Sequence, residues 1–378
     1  MNTSLIVKPV NTKQQRDDFL MVPHLVFAGD RNWVAPLFLE RQEHIDPRKN
    51  PYFQHAEVQL FVAYRDGNPV GRISAQDDQL RLKTYNDNKG MFGFLDALDD
   101  SEIFDALLKA SADWLRSRGR TSMIGPFSFS INDEAGTLID GFDSIPNMMM
   151  PHSRPWYQKH IEKLGCKKAK DVIAYRYDFT TPPRVLEKVR DRALASGDFV
   201  VRPLKLSDMK SEVKVLIDIF NDAWSKNWGF VPWTQAELDK LGKDMKLLIN
   251  ANYGYVASYK GEEAAFAVTL PNLNTWIKGM NGRVLPFNWA KLIGKIVSKK
   301  PTSVRMPLMG VRKKFHDSPV GSALSTLVID AARQYHVARG VKEMELSWIL
   351  EDNLPVRRII ELCGAVPHKT YRIYEKPL

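Results

Sequence analysis

The sequence predicts an α/β protein of two tandem domains. Each is a mixed sheet with helices on both faces, and the first is a degenerate copy of the second. Three observations predict this. The halves end alike: IEKLGCKKAKDVIAYRYD at 161–178 and IELCGAVPHKTYRIYEKPL at 360–378 each read as a short helix, a glycine and a strand. Aligning Gly165 with Gly364 sets Lys170 against Lys369 and Tyr175 against Tyr374. The halves start alike, with LIVKPV (5–10) and FVVRPL (199–204) as short strands ahead of helical patterns. Each then carries a hairpin, turning at Asp66-Gly67 in the first half and near Gly261 in the second.

The later elements repeat as well. An amphipathic helix ends in Arg-Gly in both halves, DSEIFDALLKASADWLRSRG and GSALSTLVIDAARQYHVARG. In the second, Leu324, Leu327, Val328, Ala331 and Tyr335 share one face. SFSINDE (128–134) then echoes SWILEDN (347–353), a strand ending in acids and amides. The expected division is residues 1–180, a connection at 181–198 opening with Pro182-Pro183, and residues 199–378. Serine to glycine spans 128 to 165 in one half and 347 to 364 in the other. The first half therefore carries an insertion of about 20 residues, at 135–155. Its apolar content argues for order, and long ordered loops are usually functional.

Composition excludes several classes. A length of 378 residues suits two domains, and 44% hydrophobic content suits a folded chain. Two cysteines, Cys166 and Cys363, make no disulfide framework and no CxxC metal site. The N-terminus lacks a basic region followed by an apolar run, and no apolar run is long enough to span a bilayer, so a cytoplasmic protein is expected. The net charge of +10 suits nucleic acid, an anionic membrane surface or an acidic cofactor such as a nucleotide. No RRM-like, zinc-finger or basic-zipper signature is present, which disfavours nucleic acid.

A candidate phosphate loop lies in the second half. The strand VRMPLMGV runs into a basic turn and then a helix that opens with small residues. Backbone N–H groups there, with the positive end of the helix dipole, suit a pyrophosphate. The residues are Val311, Arg312, Lys313, Ser318, Val320, Gly321, Ser322 and Ala323, with Gly321 and Ala323 permitting close approach. The spacing Ser318-x-x-Gly321-x-Ala323 resembles the acyl-CoA loop of the GNAT (GCN5-related N-acetyltransferase) superfamily, Gln/Arg-x-x-Gly-x-Gly/Ala, with Ser318 departing at its first position. Asn353 matches a GNAT asparagine ahead of a helix that contacts CoA. The tyrosine that often serves as general acid on that helix would fall near Ile360, so the proton needs another route. At the matching place the first half has Asp96, Asp99, Asp100 and Glu102, which repel phosphates.

The resemblance implies two tandem GNAT-like domains, the first without a CoA loop, and acyl-CoA as a cosubstrate rather than a tightly bound cofactor. More narrowly, GPFSFSINDEAGTLIDGFDSIPNMMMPH, EDN and YRIYEK together resemble a bacterial tandem-GNAT family associated with bacterial ceramide synthase. That likeness implies an acyl-CoA-dependent N-acyltransferase acting on a lipid amine such as a sphingoid base. Two alternatives stand beside it: an aminoacyl-tRNA-dependent transferase, and a non-catalytic CoA-binding protein.

Amide formation from a thioester needs a neutral amine, a base for its proton and donors for the oxyanion. Glu345 and Ser347 alternate on one strand and share a face, which makes Glu345 the first candidate base. The alternative is a solvated carboxylate paired with a lysine. His316, in the phosphate turn, is a candidate CoA contact or proton relay, or else a solvated loop histidine. In the insertion, Asp140, Asp143 and His152 suit a polar headgroup or ammonium, while Asn132 and Asp133 suit either binding or turn capping. No tight His/Asp spacing indicates a metal. Met148–Met150 suit an apolar wall or core filling. Finally, 273–300 interleaves Trp276, Phe287, Trp289, Leu292, Ile293, Ile296 and Val297 with Lys278, Arg283, Lys291, Lys295, Lys299 and Lys300. It reads either as a peripheral contact with the anionic inner membrane face or as a packed helix with a solvated basic face.

Overall fold

A computed structural model of the protein describes residues 4–179, 184–245, 248, 250–298 and 300–378. In the first half the chain runs β1 (Leu5–Pro9), α1 (Lys13–Val26), α2 (Phe38–His44), β2 (Ala56–Arg65), β3 (Asn68–Asp78), α3 (Gln79–Tyr85), β4 (Lys89–Ala97), α4 (Ser101–Arg116), β5 (Ser122–Gly125), β6 (Phe127–Ser128), β7 (Glu134–Ala135), β8 (Thr137–Asp140), α5 (Trp156–Lys163) and β9 (Lys167–Asp178). The second half continues with α6 (Arg184–Ala195), β10 (Phe199–Pro203), α7 (Met209–Trp224), α8 (Gln235–Met245), β11 (Gly254–Tyr259), β12 (Glu262–Pro271), α9 (Asn274–Ile277), α10 (Asn288–Ser298), β13 (Ser303–Val311), α11 (Pro319–Val337), β14 (Glu343–Leu350), α12 (Leu354–Leu362) and β15 (Val366–Pro377).

Local chemistry explains the repeated elements. Both hairpins turn through two left-handed residues, Asp66-Gly67 and Lys260-Gly261, the backbone that matches strand twist. Asp100 and Ser318 cap the two long helices, α4 and α11. The segment expected as a plain connection forms α6 over its described part. Ala193 packs on Ala323 and Leu327 of α11, and Arg190 bonds the buried Asp330 at 3.0 Å. Pro182-Pro183 lies outside the described residues. SFSINDE also differs from its echo. Ser128 ends β6 and Glu134 opens β7, and between them Asp133 accepts from the Phe129 and Ser130 N–H groups to build a turn.

The sheets of the two halves are one. Its order is β1-β2-β3-β4-β5-β15-β9-β14-β13-β12-β11-β10, with β8 also paired to β15. The starting strands β1 and β10 form the two edges, and the two last strands are exchanged. β15 pairs with β5 of the first half, and β9 pairs with β14 of the second. The cores follow. Tyr371, Ile373 and Tyr374 of β15 lie among first-half residues, whereas Tyr175 and Tyr177 of β9 lie among second-half residues. The matched tyrosines play matched parts: Tyr175 Oη donates to Glu361 of α12 at 2.8 Å, and Tyr374 Oη to Glu162 of α5 at 3.2 Å.

Each buried aromatic or aliphatic side chain contributes roughly 1.5–3 kcal/mol. Losing the three inward residues of β15 would therefore remove a large share of the ~5–15 kcal/mol by which a domain is stable. A fragment ending at Phe179 should aggregate or melt without cooperativity, and co-expression with 184–378 should restore a soluble complex. A monomeric 1–179 fragment with a cooperative melt would show that the exchange is dispensable.

Candidate active site

The site begins where two parallel strands part. β13 and β14 pair from Ser303↔Glu343 to Met306↔Leu346. β13 then runs on to Val311 and β14 to Leu350, leaving a fork between them. Beyond Met306 the β14-facing edge of β13 has no strand partner among the described residues, while its other edge stays bonded to β12. At the apex the buried Arg305 side chain takes over the bridging. Its Nε donates to Ser347 Oγ (2.8 Å) and Nη2 to the Ser347 carbonyl (3.1 Å). Nη1 reaches the Met148 carbonyl of the insertion at 2.7 Å.

The first half has the corresponding fork, but closed. β4 and β5 pair only from Lys89↔Ser122 to Met91↔Ile124. The chain after β5 then folds back onto β4. A Cβ on Gly93 would stand 1.7 Å from the Phe127 carbonyl, so only glycine fits there. Gln76 Nε2 donates to that carbonyl at 2.8 Å, and Ser128 Oγ accepts from the Phe94 N–H at 3.3 Å. Phe127 and Phe129 fill the space as core.

Glu345 is one residue before the open fork. Met344 and Leu346 face α11, so Glu345 and Ser347 face the opposite side, under the insertion. The carboxylate is 3% exposed and fully engaged. Ser347 Oγ donates to Oε1 (2.6 Å), while Asn147 Nδ2 (2.8 Å) and His368 Nε2 (3.0 Å) meet Oε2. Burial alone would raise its pKa. The His368 hydrogen bond and the Arg305 charge outweigh burial and hold it below the usual carboxylate range. Next to His368, the buried Lys369 donates to the carbonyls of Gly141 and Ser144, the latter at 2.9 Å. Burial lowers its pKa against the opposing charges of Glu345, Asp143 and Asp140. The Tyr371 hydroxyl is buried here with no hydrogen-bond partner among the described residues. Glu345, His368, Asn147, Asn272, Thr275 and Ser303 line a cavity of about 350 Å³.

The phosphate loop adopts a self-contained form. Ser318 caps α11 by accepting from the Gly321 N–H at 3.0 Å. The Lys313 N–H is held by Asp222 at 2.7 Å. A Cβ on Gly321 would stand 2.0 Å from the Phe315 carbonyl, so this glycine serves the loop's own closure. His316 Nε2 donates to the Val311 carbonyl (2.7 Å), which pins the turn. Arg312 pairs with Asp218, Lys313 with Ser225 and Lys314 with Glu262. Such exposed pairs are weak, about 0–1 kcal/mol, and a phosphate can displace them. Asn353 caps α12 through the Val356 N–H (3.4 Å). Val320, Ser322 and Ala323 form the first turns of α11. Ile360 is core, 1% exposed, so that position supplies no acid.

The insertion candidates separate. Asn132 donates to the Val231 carbonyl at 3.2 Å and Asp133 builds its turn. His152 bonds Asp30 at 3.0 Å and packs on Phe27, anchoring the insertion to the loop after α1. Asp140 and Asp143 remain exposed, on the Lys369 side. In 273–300, Trp276 is buried to 6% exposure with Ile277 and Met280, because α9 packs under the insertion through Asn274. That removes Trp276 from any exposed face.

Sequence reasoning missed His368, Asn147 and Arg305, which are far apart in the chain and carry no motif. It also missed the cluster of partly buried side chains Trp224, Trp228, Phe230 and Trp233. Trp224 Nε1 donates to the Met309 carbonyl on β13 (3.0 Å) and meets Trp348 edge-on at 6.2 Å. The aromatic density of AWSKNWGFVPW at 223–233 was the available signal.

No family model matches the chain. It is 43% identical over 379 residues to a protein named bacterial ceramide synthase from Caulobacter vibrioides, covering 100% of this chain and 98% of that one. The chain belongs to the bacterial ceramide synthase family. Protein YghO of Escherichia coli is 40% identical, over 99% of this chain and 95% of its own. Among solved structures, a tandem GNAT protein from the clavulanic acid biosynthesis pathway superposes with a TM-score of 0.57 at 11% identity, covering 99% and 98% of the two chains. The fold is that of a tandem GNAT protein, and with this kinship the chain is an N-acyltransferase.

Glu345 should shape acid stability. Its depressed pKa means the stabilisation is present above the ordinary value of 4.5 and is lost as pH falls through the folded value. Glu345→Gln keeps the shape but not the charge, and should cost about 1–3 kcal/mol near neutrality. The melting-temperature gap between wild type and variant should narrow as pH drops below the usual carboxylate range. A gap that is constant with pH would show that the carboxylate carries no depressed pKa.

Proposed function

We propose that this family member transfers an acyl group from acyl-CoA to the amine of a long-chain, sphingoid-type base. The observation that carries the reading is the Glu345–His368 pair, which is buried one residue before the open β13–β14 fork and lines a seam cavity that extends over the paired starts of the two strands. The full-length likeness to a protein named bacterial ceramide synthase supports the acceptor class.

In this reading the CoA arm enters the fork from the 311–323 loop, and the unpaired edge of β13 supplies N–H groups toward the thioester oxygen. The amine approaches from the cavity. Glu345 is held too acidic to be a strong base, so it orients His368. With Nε2–H donated to Glu345, the other ring nitrogen of His368 takes the proton that the attacking amine nitrogen loses as the C–N bond forms. The C–S bond then breaks and the CoA thiolate leaves. Trp224 and Trp348, which meet edge-on, offer an apolar wall suited to a chain. The Gly321 and Lys313 N–H groups are occupied within the loop, so acyl-CoA binding requires displacing Ser318 or Asp222.

Acyl-CoA of graded chain length, offered with a long-chain and a short amine, tests the reading by mass spectrometry of the products. Amide should form best with the long amine. His368→Asn should lower kcat about 10²–10⁴-fold with acyl-CoA affinity retained. Wild-type turnover in His368→Asn would remove the base assignment, and acyl-CoA binding without any long-chain amide would overturn the proposed acceptor.

A further inference from the structure

The positive charge of this protein is confined. From 264 to 316 the chain holds ten Lys and Arg residues and no Asp or Glu. That equals its whole net charge of +10, so the rest of the sequence is balanced. Within that stretch lies α10, none of whose residues is buried. Trp289, Ile293 and Val297 recur along one stripe and are 48%, 51% and 73% exposed. Just before the helix, Leu285 and Phe287 are 73% and 79% exposed. Lys278, Arg283, Lys291, Lys295 and Lys300 are exposed around them. Large side chains left this open are unusual unless a partner covers them.

We propose that the Leu285–Val297 face is a docking surface for an anionic lipid bilayer. The lack of any acid in the surrounding sequence matches a negative surface, and the apolar stripe matches insertion at headgroup depth. Among the described residues no helix is long and apolar enough to cross a membrane, so this is contact with one leaflet. The surface is joined to the site. α9, just upstream, gives Thr275 to the cavity, and its Asn274 holds the carbonyls of Pro146 and Asn147. Lys295 in turn reaches the Trp276 carbonyl at 3.4 Å. Docking α10 therefore sets one end of the cavity beside the bilayer. The surface stands independently of the acceptor's identity, because it is read by binding alone.

The test is co-sedimentation of the full chain with vesicles of phosphatidylcholine, with and without phosphatidylglycerol. The wild type should bind the anionic vesicles, and added salt should weaken the binding. Phe287→Ser with Trp289→Ser, and separately Lys291→Glu with Lys300→Glu, should each reduce binding by about tenfold or more. These side chains are exposed, so melting temperatures should hold. Turnover of a soluble short amine, if present, should also hold. Three results would overturn the proposal: vesicle binding unchanged in both variants, a dimer that the Phe287/Trp289 variant dissociates, or binding confined to a transfer RNA probe.

Discussion

The exchange of last strands is the constraint on which the rest depends. A parallel β4–β5 or β13–β14 pair leaves its outer strand with an open edge, and each half closes the other's edge with its own final strand. The two cores are consequently interleaved, and neither half can reach its own fold with only its own residues. Backbone hydrogen bonds across β5–β15–β9–β14 join the halves more rigidly than a surface-to-surface contact would.

That rigidity has a chemical consequence. β15 carries His368, Lys369 and Tyr371 into the seam, while the first half's insertion lies over the same strand through β8. Glu345 comes from the second half, Asn147 from the first, and His368 from the exchanged strand. Three sequence-distant segments therefore meet at one carboxylate. A buried ion needs such satisfaction, because an unpaired charge there would cost several kcal/mol. The insertion is held in turn by Lys369, Arg305 and Asn274 at its carbonyls.

The two forks show why one copy degenerated without being lost. In the first half the chain that follows β5 occupies the fork, with Gly93 and Gly125 allowing backbone to touch backbone. Asp100 there caps α4 and pairs with Arg65, which leaves a negative end where phosphate would sit. The first half thus has no open fork, and its insertion instead lines the cavity beside Glu345 through Ser144, Ile145 and Asn147.

The sequence by itself determined the repeat, the element order, both hairpin turns and the basic turn ahead of a helix that starts with small residues. These are local properties: glycine at a left-handed turn, a serine before a helix, a period of apolar residues. It also placed Glu345 on the correct face, since strand alternation is local. Tertiary structure alone decided the partners. No local pattern tells which sheet edge a terminal strand will join, because either edge offers the same hydrogen bonds, and packing of Tyr371 and Tyr374 against the first core selects it. His368 and Arg305 were invisible because their chemistry arises from neighbours 23 and 42 positions away in the chain. The same holds for the aromatic segment 273–300, which hides Trp276 and exposes Trp289. Composition shows that both are present, and only packing against the insertion decides which one meets solvent.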